Sequence, residues 1–187
     1  MSQNLKLKIA TLNVKGLNDR GKQQNSLTLL KSYKLDIIML QETNLNNEKM
    51  QSFLKQQWTY NSIWTKKTAI LAGNKDIEFK NIQTSHEGRI ISADFVFKSY
   101  SLKLTNVYAP LNTSDRILFF NNWKPQVKEN SINIIAGDFN INLNPKDNRI
   151  SQATAQQDST RIQLSNLTRE FVNIANILGT RPFLTFF

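Results

Sequence analysis

The stretch NIIAGDFNIN at residues 133–142 has the pattern of a buried strand that ends in polar residues. Its apolar run, IIA, is followed at once by Gly137, Asp138 and Asn140. A short apolar run bounded by a turn signal predicts a core strand that is covered on both faces. Gly, Asp and Asn are also common turn formers, so this stretch alone fits a plain turn as well as a functional site at a strand exit.

Three further predicted strands end in the same way. They lie at residues 5–13, 35–40 and 101–108. Their polar exits are Thr11-Leu12-Asn13, Gln41-Glu42-Thr43 and Asn106-Val107-Tyr108. A rigid strand that holds a polar group at its end can pre-organise a site. Chance explains one polar exit more easily than four, so the set indicates a site.

Apolar periodicity predicts strands that alternate with helices. The predicted strands are residues 5–13, 35–40, 67–72, 89–97, 101–108 and 132–136, the fourth and fifth of which form an antiparallel hairpin. The predicted helices are residues 22–33, residues 46–57, one beginning near Ser114 and one beginning at the capping box Thr160-x-x-Gln163. Six side chains are expected to face inward from the first two helices: Leu27, Leu29, Leu30, Met50, Phe53 and Leu54. The pattern indicates a layered α/β sandwich with mixed sheets.

Length and charge set the broad class. The 187 residues fit one domain, 1–187, and include no cysteine, which excludes disulfides and thiolate metal sites. No segment resembles a signal peptide or a membrane span, so we expect an intracellular protein without a membrane partner. The formal charge of +10 favours a polyanionic partner, nucleic acid above all.

The polar exits suit Mg²⁺ chemistry on a phosphate ester. Mg²⁺ prefers oxygen ligands and keeps several waters, so Glu42 with the Asn13 amide oxygen would suffice to hold it. Asp138 could orient or deprotonate a water, and Tyr108 and Asn140 could donate to phosphoryl oxygens. Each of these residues also has an ordinary structural explanation, and only the set in this order favours the site.

Four motifs in order, TLNVKGL (11–17), LQET (40–43), NVYAP (106–110) and AGDFN (136–140), resemble those of the endonuclease/exonuclease/phosphatase superfamily. More narrowly, the chain resembles the apurinic-type endonuclease domain of LINE-type non-LTR retrotransposons, from about Leu5 onward. The resemblance implies a four-layer α/β sandwich, with two mixed sheets flanked by helices. It also implies Mg²⁺-dependent nicking of target DNA, with Mn²⁺ as a substitute metal and RNA as another substrate.

The resemblance assigns a role to each candidate residue. Glu42 and Asn13 would hold the metal, while Tyr108 and Asn140 would contact the scissile phosphate and Asp138 would activate the attacking water. Arg89, in EGR, and Arg149 are candidate contacts to the substrate, and surface solvation is the alternative for both. A monomer located in the nucleus is expected from the same resemblance.

The sequence departs from the family at its end. Family members continue past a Thr-Phe-Phe-like stretch to a further Asp and a Ser-Asp-His ending, whereas this sequence stops at Phe187. The only histidine, His86, precedes the GDFN strand. We therefore expect a domain whose C-terminal strands are missing, with impaired activity and an aggregation-prone edge. The alternatives are a non-catalytic nucleic-acid-binding remnant, a phosphatase-like member of the superfamily and a pseudogene product without a role.

Overall fold

A computed structural model describes residues 6–85, 87–141, 155–169 and 171. Its elements are β1 (Ile9–Asn13), α1 (Arg20–Ser32), β2 (Ile37–Gln41), α2 (Glu48–Gln57), β3 (Ser62–Trp64), β4 (Thr68–Ala72), β5 (Lys80–Ser85), β6 (Ile90–Phe97), β7 (Tyr100–Tyr108), α3 (Thr113–Asn122), β8 (Ile132–Asp138) and α4 (Ala155–Leu167). They belong to two compact units, Met1–Tyr108 with Lys128–Asp138, and Ala109–Val127 with Phe139–Phe187.

The first unit contains two four-stranded sheets. One has the order β1-β2-β4-β3 and the other β5-β6-β7-β8. Both are mixed, because β1 pairs with β2 and β7 pairs with β8 in parallel, while the other neighbours are antiparallel. Two mixed sheets with flanking helices confirm the predicted α/β sandwich.

Two apolar clusters hold these layers together. Leu27 and Leu30 of α1 and Leu54 of α2 pack with Ile38 and Leu40 on one face of β2. The alternate residues of β2, Ile37 and Met39, face the other sheet and join a second cluster with residues of β6 and β7. All five residues of β2 are buried. The continuous apolar run IIML is thus explained by a strand that is covered on both faces.

Helix α1 begins at Arg20, two residues before the predicted start at Lys22. The Asp19 carboxylate accepts a hydrogen bond from the Lys22 backbone N–H at 2.7 Å, as an N-cap residue does. Leu29 and Phe53, however, were expected to face inward, and they are 51% and 43% exposed. The prediction was wrong there because each residue lies beside a buried leucine, Leu30 or Leu54, at the margin of the apolar stripe, where sequence spacing does not fix the facing.

Two strands and one helix start also differ from the predictions. β3 is buried but only three residues long, which is too short to show a periodic pattern. β5 is exposed along its whole length and lacks the apolar alternation of a strand. Helix α4 begins at Ala155, and Thr160 lies buried within it, so the capping box was wrong. The apolar spacing also predicts that this helix continues to Leu178 and stops at Gly179. In the structure α4 ends at Leu167, and residues 178 and 179 lie outside the described residues.

The second unit contains α3 and α4, which contact each other. Asn112 caps α3, two residues before the predicted start at Ser114, by accepting from the Ser114 and Asp115 N–H groups. Phe119, Phe120 and Trp123 form an aromatic cluster on α3 with ring centroids 5.4–6.4 Å apart. Among the helices of the described part of the chain, none has the length and apolarity needed to cross a bilayer.

Candidate functional site

The two parallel strand pairs place four polar residues at matching strand ends. Asn13 of β1 lies opposite Gln41 of β2, and Glu42 follows directly. Tyr108 of β7 lies opposite Asp138 of β8. Because parallel strands end at the same edge of their sheet, Asn13 and Glu42 share one edge, and Tyr108 and Asp138 share another.

A hydrogen bond joins these two edges. The Asn13 Nδ2 donates to Asp138 Oδ2 at 2.9 Å, across the gap between the sheets. The Asn13 Oδ1 accepts from the Lys15 backbone N–H at 2.9 Å, which fixes the orientation of the carboxamide. The structure thus brings together the exits of β1, β2, β7 and β8.

Glu42 is held in an unusual backbone conformation. Its φ is +56°, in the left-handed region that costs a non-glycine residue about 1 kcal/mol or more. The Gly16 N–H donates to the Glu42 carbonyl at 2.7 Å and helps to hold the turn. The side chain is half-buried, and its carboxylate makes no hydrogen bond or ion pair with the described residues. A half-buried carboxylate without a protein partner is suited to bind a cation.

Tyr108 lies close to both carboxylates. Its pKa is raised above the usual 10.0, first by burial and then by the negative charges of Glu42 and Asp138, while Arg89 opposes the shift. The hydroxyl therefore stays protonated at neutral pH and can donate a hydrogen bond. The Asn13–Asp138 hydrogen bond, together with the pairing of Asn13 with Gln41, places Glu42 and Asp138 on the same side of the first unit.

Arg89 packs against Tyr108. Its guanidinium carbon lies 5.1 Å from the centroid of the Tyr108 ring, and its Nη1 donates to the Tyr108 carbonyl at 3.3 Å. The Tyr108 N–H donates back to the Arg89 carbonyl at 2.8 Å. The structure thus places the guanidinium of Arg89 next to Tyr108, the predicted contact to the phosphate.

A buried amide pair beneath the site was not predicted. Gln41 Nε2 donates to Asn106 Oδ1 at 2.7 Å and to Thr11 Oγ1 at 2.9 Å. Asn106 Nδ2 donates to the carbonyls of Leu40 at 2.9 Å and Ala69 at 2.8 Å. Gln41 and Asn106 are 1% and 0% exposed, so this pair clamps the sheets together just below Glu42 and Tyr108. A signal was present, since both amides precede a candidate residue at the end of an apolar strand.

The packing of β8 against β7 explains why the AGDFN motif has a glycine at position 137. Its φ is +146°, and an added Cβ would lie 1.9 Å from the carbonyl oxygen of Val107. Only glycine allows β8 to approach β7 this closely while it delivers Asp138 to the edge.

Asn140 and Arg149 are the remaining candidate residues. Asn140 belongs to the second unit, has a φ of +50°, and donates from Nδ2 to the Ala109 carbonyl at 2.7 Å. Arg149 and His86 lie outside the described residues.

The donor set suits magnesium better than a transition metal. The described residues contain no group of three or more His, Cys, Asp or Glu side chains that could hold a metal ion. Mg²⁺ needs only one or two carboxylates, because waters and substrate phosphate complete its shell. The Glu42 carboxylate, which has no hydrogen-bond or ion-pair partner among the described residues, and the Asn13 amide oxygen therefore fit Mg²⁺.

Known proteins give independent information. The chain is similar to an AP endonuclease from Archaeoglobus fulgidus, with a TM-score of 0.67 and 18% identity over 93% of this chain and 82% of the other. It is also similar to TDP2 of D. rerio complexed with a single-strand DNA product (TM-score 0.55, 22% identity, 73% and 61% covered). Truncated TDP2 of C. elegans gives a TM-score of 0.57 at 18% identity, with 80% and 66% covered.

At these identities, the similarity to solved structures shows the fold alone. The chain spans less than two thirds of the length of either TDP2 structure. No curated protein matches the sequence. The model of the endonuclease/exonuclease/phosphatase family matches residues 10–185, nearly the whole chain. The chain therefore belongs to the endonuclease/exonuclease/phosphatase family.

Proposed function

We propose that the chain is a Mg²⁺-dependent phosphodiesterase that nicks DNA. The observation that carries the proposal is the hydrogen bond between Asn13 and Asp138, together with the proximity of Tyr108 to both carboxylates. A cation ligand, a base and a neutral hydroxyl donor at one rim are the groups that hydrolysis of a phosphodiester requires.

Glu42 and Asn13 would hold the metal ion, with Mn²⁺ as an alternative to Mg²⁺. When bound, the ion would neutralise charge on the phosphate and help to position it. Glu42 is suited to this role because its carboxylate is half-buried and makes no hydrogen bond or ion pair with the described residues.

Asp138 would orient and deprotonate the attacking water. A base needs a fixed carboxylate within hydrogen-bond reach of its proton. The 2.9 Å hydrogen bond from Asn13 Nδ2 holds Oδ2 of Asp138 in a fixed position at the rim. The parallel register with Tyr108 fixes the backbone of Asp138 as well.

Tyr108 and Arg89 would bind the phosphoryl group. The Tyr108 hydroxyl donates in its neutral form, and the Arg89 guanidinium adds positive charge on the ring side. Loss of one such donor costs about 3 kcal/mol of transition-state stabilisation in other enzymes. Asn140, two residues after Asp138 in sequence, keeps its predicted role as a further donor.

The finer assignment is an endonuclease of the LINE type. The NVKGL start, the EGR segment and the charge of +10 support a nucleic-acid substrate over a small phosphomonoester. A slow reaction, a monomeric state and a nuclear location stay predictions from the sequence.

A plasmid assay tests the proposal. Supercoiled plasmid would be incubated with the chain and Mg²⁺, with and without EDTA, and open-circular DNA would be quantified over a long incubation. We expect nicking that requires the metal and is lost in Glu42→Gln, while Glu48→Gln on α2 nicks as the parent does. Nicking that persists in Glu42→Gln would contradict the assigned site.

The same preparation separates the two alternatives. A phosphatase-like member would cleave p-nitrophenyl phosphate faster than bis-p-nitrophenyl phosphate, and a non-catalytic remnant would bind DNA without cleaving either ester or the plasmid. Our proposal requires the diester to be the better substrate.

A further inference from the structure

Two lysines next to the rim have no part in the mechanism above. Lys66 and Lys67 lie between β3 and β4, in the loop of residues 65–67. Lys66 is exposed and Lys67 is half-buried. Together with Arg89, they place three positive charges beside the Glu42 turn.

The lysine loop is bonded directly to that turn. The Thr43 N–H donates to the Lys67 carbonyl at 3.0 Å, and the Leu45 N–H donates to the Lys66 carbonyl at 2.9 Å. The Thr43 hydroxyl donates to the Lys66 carbonyl at 3.2 Å. These hydrogen bonds therefore hold the backbone of both lysines against the Glu42 turn.

The other side of the loop is bonded to the EGR segment. The hydroxyls of Thr65 and Thr68 donate to the Gly88 carbonyl at 2.7 and 2.8 Å. Gly88 has a φ of +78°, and an added Cβ would lie 2.8 Å from the Cβ of Thr65, so the contact is tight. Arg89, the next residue, is held by Tyr108. The lysine loop, the Glu42 turn and the EGR segment thus form one connected frame.

The charge of Lys67 is poorly compensated within this frame. Burial is the main cause that lowers its pKa, and the positive charges of Arg89 and Lys66 lower it further, whereas Glu42 and Glu87 raise it. Its Nζ donates to Asn44 Oδ1 at 2.9 Å, and its other two N–H groups make no hydrogen bond with the described residues. A fixed ammonium held near a guanidinium is a suitable site for an anion.

We propose that Lys67 binds a second phosphate of the same nucleic-acid strand, adjacent to the one that Tyr108 and Arg89 contact, with Lys66 at the outer margin. The inference rests on the proposed function, since it assumes a nucleic-acid substrate. Tyr108 and the metal ligands serve the scissile phosphate. A phosphate group at Lys67 would be the neighbour of the scissile phosphate along the strand. A polynucleotide has such a second phosphate, and a phosphomonoester lacks it. This subsite would thus select polymers.

Salt-dependent DNA binding tests the subsite without any cleavage. A short fluorescein-labelled DNA duplex would be titrated with the whole chain in EDTA at several KCl concentrations, and the anisotropy would give log K against log [KCl]. Each neutralised phosphate contributes about 0.9 to the magnitude of this slope. We expect Lys67→Gln to reduce the magnitude by about 0.9 and Lys67→Arg to retain it.

Lys75→Gln is the matched control. Lys75 is an exposed lysine in the turn at the opposite end of β4, and its removal should leave the slope unchanged. Urea unfolding of each variant would show that it is folded.

Two results would overturn the subsite. If the parent chain and Lys67→Gln have the same slope, Lys67 contacts no phosphate, and the proposed nuclease activity still stands on the plasmid assay. If the parent chain shows no salt-dependent affinity for the duplex, the subsite fails together with its nucleic-acid substrate. Metal-dependent cleavage of the simple diester would then show that the phosphodiesterase chemistry itself survives.

Discussion

The Asn13 carboxamide donates to the Asp138 carboxylate at 2.9 Å, although 125 positions separate the two residues in sequence. Asn13 ends β1 in one sheet and Asp138 ends β8 in the other. The bond therefore joins the two sheets at their strand exits, and it orients the carboxylate that we propose as the base.

A double-mutant cycle measures the strength of this bond. We expect Asn13→Ala to lower the free energy of unfolding by about 1–2 kcal/mol, because a hydrogen bond to a charged group is lost. The coupling energy with Asp138→Asn should be about 1 kcal/mol in urea unfolding. Asn18→Ala is the control, since the Asn18 side chain is exposed. Additive effects of Asn13→Ala and Asp138→Asn would show that the two residues do not interact.

The amide clamp below the site should contribute more to stability. Asn106→Ala removes three buried hydrogen bonds and leaves the Gln41 amide without one of its partners. We expect a loss of about 3 kcal/mol in the free energy of unfolding, since unsatisfied buried polar groups are costly. Asn61→Ala, at an exposed asparagine, should change it by less than about 0.5 kcal/mol. Equal effects of the two substitutions would exclude the clamp.

Gly137 should tolerate no side chain. We expect Gly137→Ala to lower the free energy of unfolding by about 3 kcal/mol or more, because the new Cβ would collide with the Val107 carbonyl oxygen. Gly21 lies at an exposed position of helix α1, and the free energy of unfolding of Gly21→Ala should stay within about 1 kcal/mol of that of the parent chain. A Gly137→Ala protein with the parent's urea midpoint would show that β8 does not approach β7 so closely.

Local patterns predict much of this fold. A continuous apolar run correctly identifies β2 as a buried strand. The run in β8 also marks a strand, but the expected cover on both faces was wrong, because Ile132 is exposed and the other residues of β8 are only partly buried. The hairpin of β6 and β7 was also correct, and its register pairs Phe97 with Tyr100. These features depend on residues close together in sequence, which is why sequence reasoning reaches them.

Other features depend on contacts between distant residues. β5 has no apolar alternation and forms only because β6 offers a free edge for pairing. The left-handed backbone of Glu42 is set by its hydrogen bond with Gly16 and by its neighbours, and glutamate has no intrinsic preference for it. The roles of Gln41 and Lys67 likewise follow from partners in other strands and loops, so composition and spacing did not reveal them.

A buried ion cluster should make stability sensitive to acid. Asp94 is 6% exposed and lies 2.9 Å from Lys128 Nζ and 3.7 Å from Lys103 Nζ. Burial alone would raise the pKa of Asp94, but hydrogen bonds from Asn81 and Lys128 and the charge of Lys103 hold it below the usual 3.8. A lowered folded-state pKa gives stability that is present above pH 3.8 and is lost as the pH falls through the folded-state value.

Urea unfolding between about pH 5 and pH 2 measures this contribution. The difference in the free energy of unfolding between the parent chain and Asp94→Asn should shrink as the pH falls, from about 3 kcal/mol at the upper end. Asp76→Asn, at an exposed carboxylate, serves as the control. A difference that stays constant with pH would mean that Asp94 is not ionised in the folded protein.

Metal binding tests the central claim most directly, because it requires no turnover. Isothermal titration with Mg²⁺, and with Mn²⁺ followed by electron paramagnetic resonance, would be run on the parent chain, Glu42→Gln and Glu48→Gln. We predict one saturable site in the parent chain and in Glu48→Gln, and its loss or at least tenfold weakening in Glu42→Gln. Equal binding by all three proteins, or no binding by the parent chain, would contradict the assignment of the strand-exit rim as a metal-dependent active site.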